Sequence, residues 1–491
     1  MQRPQDTRFF GHPIGLSTLF FTELWERFGY YGMRALLILF MVAPAEHGGL
    51  GMNVMTAGSI YGLYTASVYM LSLPGGWLAD RFLGQRRAVL YGGMLIAIGY
   101  LMLAATDVRV FYAGLCVVVC GTGLLKPNIS TIVGQLYAPE DPRRDAGFSI
   151  FYMGINVGAT IAPLICGYVG QRVNWHLGFA LSGIGMIFGV VQFWFGWRHL
   201  GEAGMHPVQP TDEADAAKQR KLLRGAVLGV VSIGVAMAVV HLTGVLTITP
   251  ILLVNSAGVV LLAIVVALFA WMLLGGDWTP VERKRLGAIL VLFIAASLFW
   301  SAYEQAGSSL SLFADRSSHN IILGFEFPAS WYQSLNSLYI VLLAPPIAWL
   351  WVRLGNRQPS SPAKFALGLM FVGMGFLVLV FGALLSAHGA RVSPLFLIVT
   401  YLFHTIGELC LSPVGLSAIT KLAPARVASL MMGVWFISIS IGDYLGARLT
   451  SFYGALPVPV LFGIVTVFSI VSGLAMFAIS RPVTRLMGGV R

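Results

Sequence analysis

The chain has 491 residues, of which 57% are hydrophobic and only 10% are charged, and its mean hydropathy is +0.80. A water-soluble protein of this size has too little interior to bury so much apolar surface, so the composition predicts an all-α polytopic membrane protein. A β-barrel is excluded because its short alternating strands would not produce such long unbroken apolar runs. The formal net charge of +11 at pH 7 raises the question of an acidic partner such as nucleic acid.

The apolar runs predict fourteen transmembrane helices, and their even number places both termini on the same side of the membrane. No cleavable signal peptide is expected, because residues 1–15 are polar and the first apolar run is too long for one. Of the 31 Lys and Arg residues, 23 lie on the side of the termini and 5 on the other. The positive-inside rule therefore predicts cytoplasmic termini, and the basic excess reflects topology rather than a nucleic-acid partner. The predicted helices lie near residues 18–42, 54–79, 87–106, 110–137, 147–170, 175–197, 224–246, 250–274, 287–314, 329–352, 364–387, 394–422, 427–450 and 457–480.

The first predicted helix contains four charged residues within "TELWERFGYYGMRALLILF". At about 100° per residue, Glu23, Arg27, Tyr30 and Arg34 form one narrow stripe, and Glu26 lies slightly to one side. A charge at the centre of a bilayer costs a few kcal/mol. The stripe is therefore expected to face an aqueous cavity or oppositely charged helices. The alternative is a self-neutralised pair that only ties helices together.

A basic loop follows the second predicted helix. Its sequence, "GGWLADRFLGQRR" (75–87), resembles the G-x-x-x-D-R-x-G-R-R loop of the major facilitator superfamily, with Leu83 inserted before Gly84. A weaker echo, "RLGNR", occupies residues 353–357. The repeat fits two parallel six-helix halves, and the alternative is a pair of generic basic loops.

The superfamily core has twelve helices, so two of the predicted helices are surplus. The segments near 224–246 and 250–274 follow a polar, charged linker and are predicted to form a peripheral hairpin without a transport role. The expected organisation is an N-terminal six-helix bundle (1–200), a cytoplasmic linker (201–223), an inserted transmembrane hairpin (224–275) and a C-terminal six-helix bundle (276–491).

Later helices contain further polar residues that are expected to face the interior: Lys126, Asn156, Glu304, Asn336 and Glu408. Together with the stripe of the first helix, we count three cations and four acids, a net charge of −1 if all are ionised. A poorly solvated site resists such an excess, so at least one glutamate is expected to bind a proton readily. This is the physical basis for a hypothesis of proton coupling.

Two motifs resemble signatures of the proton-dependent oligopeptide transporter (POT/PTR) family of the major facilitator superfamily. "ELWERFGYYG" (23–32) matches E-x-x-E-R-F-x-Y-Y-G, and "FYMGINVGA" (151–159) is similar to F-Y-x-x-I-N-x-G. The resemblance covers nearly the whole chain, and the inserted hairpin is similar to that of prokaryotic members. It implies a location in the bacterial cytoplasmic (inner) membrane.

The resemblance also implies roles for individual residues. Arg34, Lys126 and Tyr30 resemble a basic pole for the C-terminal carboxylate of a peptide. The corresponding acidic pole for the N-terminal ammonium consists of Glu408, Asn156 and Asn336. The positions that resemble pocket-lining residues are Tyr31, Tyr69, Trp300, Ser412 and Trp435. Two fixed poles would let one site accept peptides with many different side chains.

Proton coupling and gating are expected at Glu23, Glu26, Arg27 and Glu304. The resemblance further suggests two ion pairs, Arg34 with Glu304 and Lys126 with Glu408, that relate to closure of a gate. Some relatives have a histidine on the second helix, but residues 54–79 contain none, so coupling is expected to rest on glutamates. No cofactor or metal is expected, because no metal-ligand motif occurs.

The leading hypothesis is a proton-coupled symporter, functional as a monomer, that imports di- and tripeptides by alternating access. The alternative within the family is another substrate, such as nitrate or a peptide-like drug. A membrane enzyme is the alternative from another class, but the sequence lacks G-x-S-x-G, H-E-x-x-H and a convincing nucleophile–base pair. A channel is disfavoured because no repeated selectivity-filter segment is evident.

Overall fold

The computed structural model describes residues 7–138, 141–207, 212–244, 247, 249–275, 278–387, 389–424 and 427–488, and this part of the chain is almost entirely helical. A short antiparallel hairpin of two strands, β1 (Ile321–Ile322) and β2 (Phe325–Glu326), is the only sheet in it. The helices are α1 Ile14–Val42, α2 Val54–Met70, α3 Ser72–Leu78, α4 Gln85–Leu103, α5 Val108–Gln135, α6 Arg144–Arg172, α7 Trp175–Gly196, α8 Glu213–Leu242, α9 Pro250–Ala270, α10 Pro280–Tyr303, α11 Ser309–Arg316, α12 Gln333–Leu354, α13 Ser361–Ser386, α14 Leu395–Leu422, α15 Ala428–Thr450, α16 Val458–Ala478 and α17 Ser480–Leu486.

Ten helical segments in the described residues are long and apolar enough to cross a membrane. All fourteen apolar runs found in the sequence fall on helices. In lipid a backbone must satisfy its own hydrogen bonds, and a long apolar run can do so only as a helix. The chain is therefore a helical membrane protein, and the number of fourteen crossings stays a prediction.

The helices pack as two groups. In the first, α1 packs against α6 and α7, and α4 packs against α5 and α7; in the second, α13 packs against α14 and α16. The groups meet where α2 packs against α15 and where α6 packs against α12. The inserted helix α9 contacts both α2 and α15, so it lies beside the seam between the groups. The residue boundaries predicted for the four parts of the chain stay a prediction.

The seam between α2 and α15 is very tight. A Cβ atom on Gly62 would overlap the Cβ of Ala447, and one on Gly58 would lie 3.2 Å from the side chain of Thr450. Glycine lets the two helix backbones approach each other closely. Ser440 also donates a hydrogen bond across the seam to the carbonyl of Ala66, at 3.1 Å.

The two groups are joined from mid-membrane to the face opposite the termini, which we call the distal side. There the Ser334 hydroxyl donates to the Thr160 carbonyl (2.7 Å), and the Trp331 indole donates to the Leu164 carbonyl (3.1 Å). Farther out, the Gln171 side chain accepts a hydrogen bond from the backbone N–H of Ser330 (2.9 Å). The structure is therefore closed on the distal side.

Candidate functional site

A cluster of three charges is buried on α1. The Arg27 guanidinium donates to both carboxylate oxygens of Glu26, with Nη2–Oε1 at 2.7 Å, and lies 3.4 Å from Oε1 of Glu23. The second oxygen of Glu23 accepts no hydrogen bond from any described residue. One cation thus faces two acids. Glu26, the adjacent residue, accepts two hydrogen bonds from Arg27, whereas Glu23, four residues earlier, has only the longer contact through one oxygen. Tyr30 also packs against Arg27, whose guanidinium lies 5.0 Å from the ring centre.

Arg34 connects the two groups of helices. Its Nη2 lies 2.5 Å from Oε2 of Glu304, and its Nε donates to the Tyr61 hydroxyl at 2.8 Å. Glu304 reaches this position because α10 ends at Tyr303 and a tight turn, Glu304–Gly307, separates it from α11. The predicted ion pair between Arg34 and Glu304 is therefore present, and it is buried.

Glu408 is held by neutral groups rather than by a cation. Its Oε2 accepts hydrogen bonds from the Tyr303 hydroxyl (2.5 Å) and the Asn336 amide (3.0 Å). The suggested pair between Glu408 and Lys126 is absent from the described part of the chain. The Lys126 ammonium instead lies 3.9 Å from the centre of the Tyr69 ring, because a buried cation without a carboxylate gains from the negative face of an aromatic ring.

Arg34, Glu304 and Glu408 line a cavity of about 120 Å³ between the two groups of helices. It is lined by Tyr31, Arg34, Tyr69, Trp300, Tyr303, Glu304, Ala306, Gln333, Asn336, Tyr401, His404 and Glu408. Seven of these were singled out from the sequence, namely Tyr31, Arg34, Tyr69, Trp300, Glu304, Asn336 and Glu408. One cation and two carboxylates therefore share one cavity with many aromatic side chains.

Other predicted site residues lie outside this lining. Tyr30 is buried against Arg27, and Lys126 lies behind Tyr69. The Asn156 amide donates to the Tyr152 carbonyl one turn earlier in α6, at 3.0 Å. Trp435 is buried and packs against Gly415. Ser412, although only partly buried, does not line the cavity either.

Sequence reasoning missed several residues of this region. Tyr303 is the clearest, because it bonds Glu408 directly and precedes Glu304 in "SAYEQ". Asp443 of α15 was left out of the membrane charge count, although it is 3% exposed. With Asp443 included, five acids face three cations. The expected net charge of −1 is therefore wrong, and the formal excess is −2.

Comparison with known proteins gives matches over nearly the whole chain. A family model described as the POT family matches residues 86–462. The uncharacterized transporter YclF of Bacillus subtilis is 43% identical over 98% of this chain and 96% of its own length. The di-/tripeptide transporter of Lactococcus lactis subsp. cremoris is 40% identical, with 98% of each chain covered. A crystal structure of a peptide transporter POT in complex with sulfate superposes with a TM-score of 0.92 at 43% identity, covering 98% of this chain and 97% of that one.

Proposed function

Because the chain belongs to the POT family, whose relatives are membrane transporters rather than enzymes and share its major facilitator fold, we propose that it is a proton-coupled symporter that imports di- and tripeptides by alternating access. The similar protein from Lactococcus lactis is named for that substrate class. The proposal extends the substrate to this chain on the basis of its own cavity.

One observation carries the proposal: Arg34 and Glu408 line the same aromatic cavity. Every free peptide has a carboxylate at one end and an ammonium group at the other. A guanidinium binds a carboxylate through two parallel hydrogen bonds, and Glu408 can accept from an ammonium group. Tyr31, Tyr69 and Trp300 offer contact surface to variable side chains without requiring one hydrogen-bond pattern. Lys126, behind Tyr69, would add positive charge to the basic pole.

The basic pole is already occupied by an acid of the protein. Glu304 holds Arg34 at 2.5 Å, so a peptide carboxylate has to compete with it. Displacement of Glu304 by that carboxylate would free Arg34 to bind the peptide. Since the two residues lie on different groups of helices, release would also weaken a contact that joins the groups. This links peptide binding and movement in one contact.

The cluster on α1 provides the candidate proton site. Arg27 neutralises one of its two acidic neighbours, and Glu26 has the fuller contact. Glu23, with one oxygen lacking any partner in the described structure, is the acid that we expect to carry the coupling proton. A single proton leaves this cluster neutral, which a poorly solvated site favours.

The proposal also includes the orientation of the chain in the membrane and the direction that its cavity faces. We place both termini in the cytoplasm because most Lys and Arg residues lie on their side. Closure of the distal side then supports an inward-facing state. The chain carries its cavity within one molecule, so a monomer in the membrane, driven by the proton gradient and without a cofactor, suffices for transport.

Uptake into proteoliposomes tests the substrate assignment. We expect labelled dialanine to accumulate when the external pH is below the internal pH, and unlabelled di- and tripeptides to compete. Nitrate should not compete, and a collapsed gradient should leave only equilibration. Competition by nitrate without competition by peptides would contradict the proposal and favour the alternative substrate.

A further inference from the structure

Asp443 is a buried acid that the proposed transport cycle does not use. It lies on α15 at the tight seam with α2, where its side chain is almost inaccessible to solvent. Its backbone carbonyl lies 3.5 Å from the position that a Cβ on Gly62 would take. The close approach of the two helices leaves no room for a hydration shell around the carboxyl group.

No cation forms an ion pair with Asp443 in the described residues. Its Oδ2 has no hydrogen-bond partner there, and the Thr65 hydroxyl of α2, a polar neighbour of the carboxyl, donates to the backbone carbonyls of Tyr61 and Gly62. Burial of a carboxylate without a partner is strongly unfavourable, whereas the neutral acid is tolerated. The packing of the closed seam therefore favours the protonated form of this group.

The charged and titratable groups around Asp443 do not change this conclusion. From the other packed elements, Arg34, Glu304 and Lys126 act on it electrostatically, and Tyr61 and Tyr69 of α2 face it. Arg34 is bound by Glu304 and Tyr61, and Lys126 lies over Tyr69.

The charged groups of α15 and of α9 near this seam are the last to consider. On α15 itself, the Arg448 guanidinium contacts Tyr444 and the Asn255 side chain of α9. The described part of α9 contributes no acidic or basic side chain to the seam. Arg34 therefore faces two acids but has an ion-pair contact with only one of them.

We propose that Asp443 is a second proton-binding site, which acts as a latch: it binds a proton when α2 and α15 close the distal side and releases it to that same side when they separate. The proton on Asp443 is not transported, because the closed seam covers it. It sets the external pH at which the transporter closes. This inference rests on the alternating access of the proposed function but not on its proton coupling.

Distance measurements between the two groups of helices test the latch. Spin labels are placed at Val108→Cys on α5 and Leu395→Cys on α14, two exposed positions at distal helix ends, in a protein without the four native cysteines. We expect the population with a separated distal side to rise with pH between about pH 5 and 8 in the otherwise unaltered protein. Asp443→Asn, which mimics the protonated acid, should stay closed over this whole range.

Two further variants make the test specific. Thr65→Val removes a polar neighbour of the carboxyl and makes its surroundings more apolar, which favours the neutral acid. Its transition should therefore move to higher pH, and it provides a test even if Asp443→Asn fails to fold. Glu326→Gln breaks a distal ion pair with Arg172 and should change the populations equally at every pH. An unchanged transition in Asp443→Asn would assign the response to another acid, such as Glu304, and overturn the latch.

The outcomes also separate the latch from the proposed function. If added dipeptide changes the distance but pH does not, the latch is wrong and alternating access stands. If neither peptide nor pH changes the distance, alternating access itself is contradicted.

Discussion

Glu408 is held by Tyr303 and Asn336 rather than by a cation, and under the proposed function this leaves its charge available for a ligand. A salt bridge with Lys126 would have neutralised the acidic pole before a peptide arrived. Hydrogen bonds from neutral donors hold the carboxylate in place and leave its charge uncompensated. Under the same proposal, Arg34, which is already paired with Glu304, has to be released before it can bind a peptide carboxylate.

A substitution at Glu408 tests this acidic pole. We expect Glu408→Gln to weaken binding of free dipeptides about tenfold to a hundredfold, since a hydrogen bond to a charged group contributes roughly 1.5–3 kcal/mol. Binding of N-acetylated dipeptides, which lack the ammonium group, should change far less. Competition against labelled dialanine measures both. Tyr303→Phe is the matched control, because it removes a bond to Glu408 but retains the charge. An equal loss for both ligand types would leave Glu408 with a purely structural role.

At the scale of helices, the sequence predicted where the helices lie along the chain, but not which helices and residues contact each other. Long apolar runs specify helices because lipid allows the backbone little else, and all of them were found. The turn after Tyr303 that presents Glu304 was not predicted, since a four-residue turn leaves no hydropathy signal. The position of Asp443 against α2 was missed for a related reason. Contacts between helices depend on packing in three dimensions, which periodicity within one helix does not encode.

The seam between α2 and α15 offers a prediction at this scale. Gly62→Ala introduces a methyl group that overlaps Ala447, and overpacking of this kind typically costs about 1–3 kcal/mol. The cost falls on the distally closed state, so the population with a separated distal side should increase about fivefold to a hundredfold. Distances between labels at Val108→Cys and Leu395→Cys measure the shift. Gly463→Ala on α16, where nothing lies within 4 Å of the new Cβ, should leave the distances unchanged. The same distances in both variants would mean that this seam does not open.

At the scale of the whole molecule, the two groups of helices are held together by an exposed contact as well as by buried ones. Arg172 at the end of α6 and Glu326 of the distal hairpin form an ion pair at 2.7 Å. The hydrogen bond from Arg172 lowers the pKa of the Glu326 carboxyl below its ordinary value of 4.5. Because this pKa is depressed, the contribution of the pair is present at higher pH and is lost only as the pH falls through the lowered value.

The pair should therefore contribute no pH dependence in the physiological range. We expect Glu326→Gln to shift the balance toward the separated distal side by a small and constant amount between about pH 5 and 8, since exposed ion pairs contribute little. Raising the salt concentration should produce a similar small shift in the unaltered protein by screening the pair. A strong dependence of the Glu326→Gln effect on pH within this range would show that the carboxyl is not held ionised by Arg172.

The central claim, that peptide and proton move together, is tested most directly by peptide-induced proton influx. Proteoliposomes with a pH-sensitive dye inside receive dialanine from outside, and exchange of labelled for unlabelled peptide is measured in the same preparation. The account predicts acidification on peptide addition for the unaltered protein. Glu23→Gln should lose acidification but keep exchange. Glu26→Gln should lose part of both activities, and Arg34→Ala should lose both completely. Peptide uptake without any acidification in the unaltered protein would contradict the account, and full acidification in Glu23→Gln would remove Glu23 from the coupling step.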